Sequence, residues 1–166
     1  TYFNGGNVAF RRDALDELDG FDEYLETGGA RDAAHRLAGA GCGVTWRPEM
    51  SVRTEYEADG GVKERDWGWK YRALGYRMAK NYGFRPTVVR RTLRHARRDA
   101  VSAARDVVRG DSTPTGWFGT GRDVLAGMTT GLSDGLVARA RDQSNTRNPH
   151  GCSKRADRAV AKYDWR

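Results

Sequence analysis

The chain has 166 residues, with 29 Lys+Arg against 22 Asp+Glu, a formal net charge of +7 and 38% apolar residues. That length allows one domain, or one small domain with appendages, and no run approaches the about 18 apolar residues that a transmembrane helix needs. Cys42 and Cys152 stand far apart with no neighbouring Cys or His at ligand spacing, which argues against a disulfide framework or a zinc site and suits a reducing compartment.

The chain opens on Thr1, without Met and directly in a strand-like run, and reads as a piece of a longer protein whose start is missing. After the Gly5-Gly6 turn, residues 7–10 (NVAF) predict a short strand. A helix follows over Arg12–Leu18, with Leu15 and Leu18 on one side and Gly20 where a helix-ending glycine belongs. A Thr27-Gly28-Gly29 loop leads to a second helix over 31–39, which turns Ala33, Ala34, Leu37 and Ala38 inward. Val44-Thr45-Trp46 predicts a strand that stops at Pro48, and residues 50–56 predict another.

From there the pattern becomes helical. Residues 64–82 carry an apolar stripe, Trp67, Tyr71, Leu74, Met78 and Tyr82, at helical spacing. A second stripe on the same helix reads Arg65, Trp69, Arg72, Tyr76 and Lys80. Residues 87–109 repeat the pattern, with Val89, Leu93, Ala96, Ala100, Ala103 and Val107 on one face and Arg90, Arg91, Arg94, Arg97 and Arg98 on another. Residues 110–116 read as a linker. Residues 122–141 form a weaker helix in which Gly127, Gly131 and Gly135, four apart, would let another helix approach closely. Past Asp142 the chain is polar and reads as loosely held. The expected organisation is therefore a mixed front at 1–60, a basic amphipathic helical region at 61–142 and a polar tail at 143–166. Charge divides at the same boundary: residues 1–60 hold 6 Lys+Arg and 12 Asp+Glu, and residues 61–166 hold 23 and 10. A basic segment of this kind seeks phosphate-bearing partners.

Taken in order, Gly5-Gly6-Asn7-Val8-Ala9-Phe10-Arg11-Arg12, then Leu18-Asp19-Gly20-Phe21-Asp22-Glu23, then Gly28-Gly29-Ala30-Arg31-Asp32-Ala33-Ala34-His35-Arg36-Leu37, then Gly43-Val44-Thr45-Trp46-Arg47-Pro48, resemble the second half of the catalytic domain of family 2 glycosyltransferases. The resemblance covers about fifty residues, and its ordered set is more specific than any single piece. It implies an α/β fold: part of a GT-A-like α/β sandwich, lacking its nucleotide-binding half and followed by a helical C-terminal extension. It also implies inverting transfer from a nucleotide-sugar donor to a glycan or lipid-linked acceptor, with a divalent metal, Mn or Mg, whose ligands lie mostly in the missing half. On this alignment the family's Glu-Asp pair falls on Gly29 and Ala30, and its closing His falls on Thr54. Asp32 keeps the third acidic position and is the candidate catalytic base, with Glu55 or a shifted register as alternatives. Gly5, Gly6, Asn7, Arg31, His35 and Arg36 are the candidate substrate-binding residues.

Each residue also has a plainer explanation. Asp32 and Arg36 suit an ordinary i,i+4 pair; His35 is the kind of lone helical histidine that is often solvated, though its pKa would suit acid–base work; Gly5-Gly6 can be a simple turn. The Arg65, Trp69, Arg72, Tyr76, Lys80 stripe suits the headgroup layer of an anionic membrane, reinforced by the arginines of the next helix. A packed helix with a solvated rim is the alternative, and stacking on nucleic acid lacks any supporting signature. The expected location is thus cytoplasmic, peripheral at the inner face of the cell membrane, with no nucleic-acid partner. Two other functions stay open: a non-catalytic glycosyltransferase-like partner, suggested by Gly29, Ala30 and Thr54, and a basic helical nucleic-acid-binding module.

Overall fold

The computed structural model describes residues 3, 5–53, 66–110, 113–144 and 146–154. They form five α-helices: α1 (Arg12–Leu18), α2 (Gly29–Gly39), α3 (Trp67–Tyr82), α4 (Pro86–Val108) and α5 (Pro114–Arg141), with short 3-10 turns at Pro48–Met50 and Cys152–Lys154. No strand occurs among the described residues, so the expected α/β sandwich gives way to a helical architecture. The reason lies in pairing. A strand satisfies its backbone groups only through a neighbour, and neither 7–10 nor 44–46 has one among the described residues. The apolar side chains that suggested a sheet face are left in water: Trp46 is 79% exposed and Val52 65%. Of the third expected strand, 50–56, the first residue closes the Pro48–Met50 turn and the last three lie outside the described residues.

The helices start and stop for local reasons. Asp19 and Gly20, both with positive φ, end α1. Asp66 opens α3 by accepting a hydrogen bond from the Trp69 N–H at 2.8 Å. Gly83, at φ +70°, closes it. Thr113 accepts from the Gly116 N–H at 3.2 Å, so α5 begins earlier than expected and absorbs part of the supposed linker.

Two small cores organise the described residues. At the front, Leu18 of α1 meets Ala33, Ala34 and Leu37 of α2, with Phe3, Val8 and Phe10 alongside. At the back, α3 and α5 run parallel in a fixed register that advances four residues at a time. Gly127 lies on the Gly68 carbonyl, Gly131 on that of Arg72 and Gly135 on that of Tyr76. Arg139 Nη1 then reaches the Lys80 carbonyl at 3.1 Å. A Cβ at Gly127, Gly131 or Gly135 would collide with an α3 backbone oxygen, so the glycine ladder expected to admit a helix does so against α3. Gly75 completes the seam from the other side, against the Met128 carbonyl.

The chain beyond α5 is not loosely held through residue 154. It returns to the turn after α1, where Asn148 Nδ2 donates to the Asp19 and Gly20 carbonyls at 2.9 and 3.2 Å. The Ser153 N–H and hydroxyl donate to the Asp19 carboxylate at 2.8 and 2.7 Å. The turn's positive-φ backbone exposes carbonyls that a polar segment can satisfy.

Candidate functional site

Asp32 lies in the first turn of α2 and faces inward, with no exposed surface. Its Oδ2 accepts from Arg36 Nε and from Lys80 Nζ, both at 2.8 Å, and its Oδ1 accepts from Asn81 Nδ2 at 2.8 Å. Lys80, in the last turn of α3 and equally buried, also donates to Asp22 Oδ2 at 2.6 Å. Asp22 accepts further from the Tyr76 hydroxyl at 2.8 Å and from the Tyr24 N–H at 3.0 Å, and His150 Nδ1 lies 3.0 Å from its Oδ1. Arg36 carries its remaining donors to the Leu18 carbonyl at 2.5 Å and the Gly20 carbonyl at 2.9 Å, which ties α2 to the open end of α1.

Two carboxylates and two cations thus neutralise one another in the interior, and their hydrogen bonds are made within the protein. Burial alone would raise the Asp22 pKa, but the Lys80 charge and the bonds from Lys80, Tyr76 and the Tyr24 backbone outweigh it, so the carboxyl sits below its usual value. The Tyr76 hydroxyl is pushed well above its ordinary pKa by burial and by the Asp22 charge. Above this centre Tyr24 stacks on Tyr76, with ring centroids 3.9 Å apart. Its hydroxyl donates to Asp134 at 2.5 Å and accepts from Arg72 Nε at 2.6 Å. Burial, then the Asp134 bond, raise the Tyr24 pKa to about 12.

Residues expected in two separate sites therefore meet in one. Asp32 and Arg36, assigned to substrate, share a network with Tyr76 and Lys80, assigned to the membrane interface. Tyr76 and Lys80 point into the protein, not outward. Arg72 and Trp69 are half-buried beside Tyr24, with the Arg72 guanidinium 5.1 Å from the Trp69 ring. Arg65, Thr54 and Glu55 lie outside the described residues.

The other candidates are nearer the surface. Gly5, Gly6 and Asn7 form an exposed turn, and Asn7 Nδ2 donates to the Met50 carbonyl at 2.5 Å. A Cβ at Gly5 would come within 2.9 Å of the Ala30 Cβ, so this turn abuts the first turn of α2, where Arg31 is exposed. His35 is half-buried, its ring 5.3 Å from that of Tyr82. Gly5 thus brings the 5–7 turn against Ala30, beside Arg31, whereas His35 lies toward Tyr82 of α3 and Asp32 turns into the core.

Asp22, Tyr24, Asn81 and His150 complete the network and were not among the expected site residues. No local signal marks them: the acids that meet Lys80 lie 58 and 48 residues away in the chain. A divalent metal does not fit this cluster, because Lys80 Nζ already occupies the position between Asp22 and Asp32. Among the described residues no other acidic, His or Cys group is arranged to hold one. No family model, no curated protein and no solved structure matches the chain.

Proposed function

We propose that the chain serves glycosyl transfer, as part of an inverting enzyme that moves a sugar from a nucleotide-sugar donor to a glycan or lipid-linked acceptor. The reading rests on the contact between Gly5 and Ala30, which joins the first and third segments of the glycosyltransferase resemblance into one exposed edge. Along that edge Gly5 brings backbone groups and Asn7 its amide oxygen to sugar hydroxyls, and the exposed Arg31 adds a positive charge that suits a diphosphate. Inverting transfer needs a base within hydrogen-bond reach of the acceptor hydroxyl. Asp32, enclosed by Arg36, Lys80 and Asn81, acts in this reading as the scaffold of the edge and not as that base. Lipid-linked acceptors would place the protein at the inner face of the cell membrane; among the described residues no helix is long and apolar enough to cross one.

Amide chemical shifts of these residues in the full-length enzyme, during titration with a panel of nucleotide sugars, test the reading. Shifts clustered at Gly5, Gly6, Asn7 and Arg31, weakened by Arg31→Ala, are expected. Shifts absent for every donor, or unchanged in the variant, would reject it. A second reading, a non-catalytic glycosyltransferase-like partner, is favoured by Gly29 and Ala30 standing where the family carries its acidic pair. Binding by the full-length protein without release of nucleoside diphosphate in the presence of acceptor would select it.

A further inference from the structure

On α4, Leu93, Arg97, Val101, Ala104 and Val108 recur at helical spacing and so form one ridge along a helix of 23 residues, about 35 Å long. The apolar members are in water: Leu93 is 57% exposed, Val101 44% and Val108 88%. Arg90, Arg94, Arg97, Arg98, Arg105 and Arg109 are exposed on or beside that ridge. The two acids of α4 lie off it. Asp99 is drawn inward, where it accepts from Lys70 Nζ at 2.5 Å and the Tyr71 hydroxyl at 2.9 Å, and Asp106 is half-buried. One more apolar group borders the helix: Phe118, 71% exposed, packs edge-to-face on Trp117, whose indole N–H reaches the Ala100 carbonyl at 3.4 Å.

We infer that this face of α4 docks the protein on an anionic lipid bilayer, lying in the plane of the headgroups. Charge complementarity selects an anionic occupant, since among the described residues of α4 the ridge and its flank carry arginines and no carboxylate. The interleaved leucine and valines select the bilayer over a nucleic acid. Below the phosphate layer they enter hydrocarbon, whereas a phosphodiester backbone offers them nothing to contact. The inference deepens the membrane-side part of the proposed function and does not depend on glycosyl transfer. It moves the interface from α3, whose Tyr76 and Lys80 are enclosed, to α4.

Co-sedimentation of the full chain with phosphatidylglycerol–phosphatidylcholine vesicles, against pure phosphatidylcholine, tests it. Two variants accompany the parent, both altered only at exposed positions and checked for native helicity. One is Arg94→Glu/Arg97→Glu/Arg105→Glu; the other is Leu93→Ser/Val101→Ser/Val108→Ser. The parent is expected to bind the anionic vesicles alone. The charge variant should lose about a hundredfold or more in affinity, and the serine variant about tenfold or more. If the parent stays in solution at low salt, the membrane reading and the α4 inference fall together. If the parent binds and both variants bind equally well, only the assignment to α4 falls. A serine variant that binds like the parent overturns the bilayer in favour of a polyanion such as nucleic acid. A concentration-dependent dimer that the serine substitutions abolish overturns it in favour of a second copy of the chain.

Discussion

Helices α3 and α4 share a basic amphipathic pattern and end up in opposite environments. Both are basic and amphipathic, with cations repeating along one face. In α3 the repeat carries Tyr76 and Lys80 inward, onto Asp22 and Asp32; in α4 it leaves arginines and valines in water. What separates them is the supply of carboxylates from elsewhere. The acids that meet Tyr76 and Lys80 of α3 come from the loop after α1 and from α2. The only acid of α4 with a described partner, Asp99, instead ties that helix back to α3. A cationic stripe therefore declares an interface only once the protein's own acids have been accounted for.

The comparison breaks most sharply at Lys80. Lys80→Ala leaves Asp22 and Asp32 buried with one shared cation gone, and equilibrium unfolding in denaturant should show a loss of about 3–5 kcal/mol. A loss below about 1 kcal/mol would mean that α3, like α4, presents its cations to water. Next comes the seam that buries α3. Gly131→Ala places a methyl on the Arg72 carbonyl and should cost about 1–3 kcal/mol despite the better helix propensity of alanine.

The pH dependence sharpens the same contrast. Because the folded-state pKa of Asp22 is depressed, its contribution is fully present above the ordinary aspartate value of about 3.9 and is lost as pH falls from there through the folded-state value. Tyr24 and Tyr76 act at the other end. Their raised pKa values make their contribution complete below the ordinary tyrosine value of about 10, and it is lost as pH rises toward about 12 and beyond. Thermal melts across pH should decline at both limits, and Asp22→Asn should flatten the acid limb. The smallest effect belongs to α4: the Arg94, Arg97 and Arg105 reversals should change folding stability by no more than about 0.5 kcal/mol.

Much of the helical framework was legible because it rests on local patterns. Leu15 and Leu18 before Gly20 marked α1, and Gly83 and Pro86 marked the break between α3 and α4. The Gly127, Gly131, Gly135 ladder announced a close helix approach, though not that α3 would be the partner. The strands expected at 7–10 and 44–46 do not form, because strand propensity is local but pairing is not. The sense of the Tyr76–Lys80 stripe was hidden for a related reason: Asp22 lies 58 residues from Lys80, and nothing local to α3 reveals it. The docking of 146–154 was obscured by its polarity, since Asn148 and Ser153 look solvated until the Asp19-Gly20 turn offers them partners.

Lysine acetylation of the folded chain, followed residue by residue by mass spectrometry, tests the inward fate of α3 most directly. Lys80 and Lys70 sit ten residues apart on the same helix, one with no exposed side-chain surface and the other 41% exposed. Modification of Lys70 while Lys80 stays untouched until the protein is denatured is the predicted result. Equal rates at the two lysines in the native protein would contradict the account.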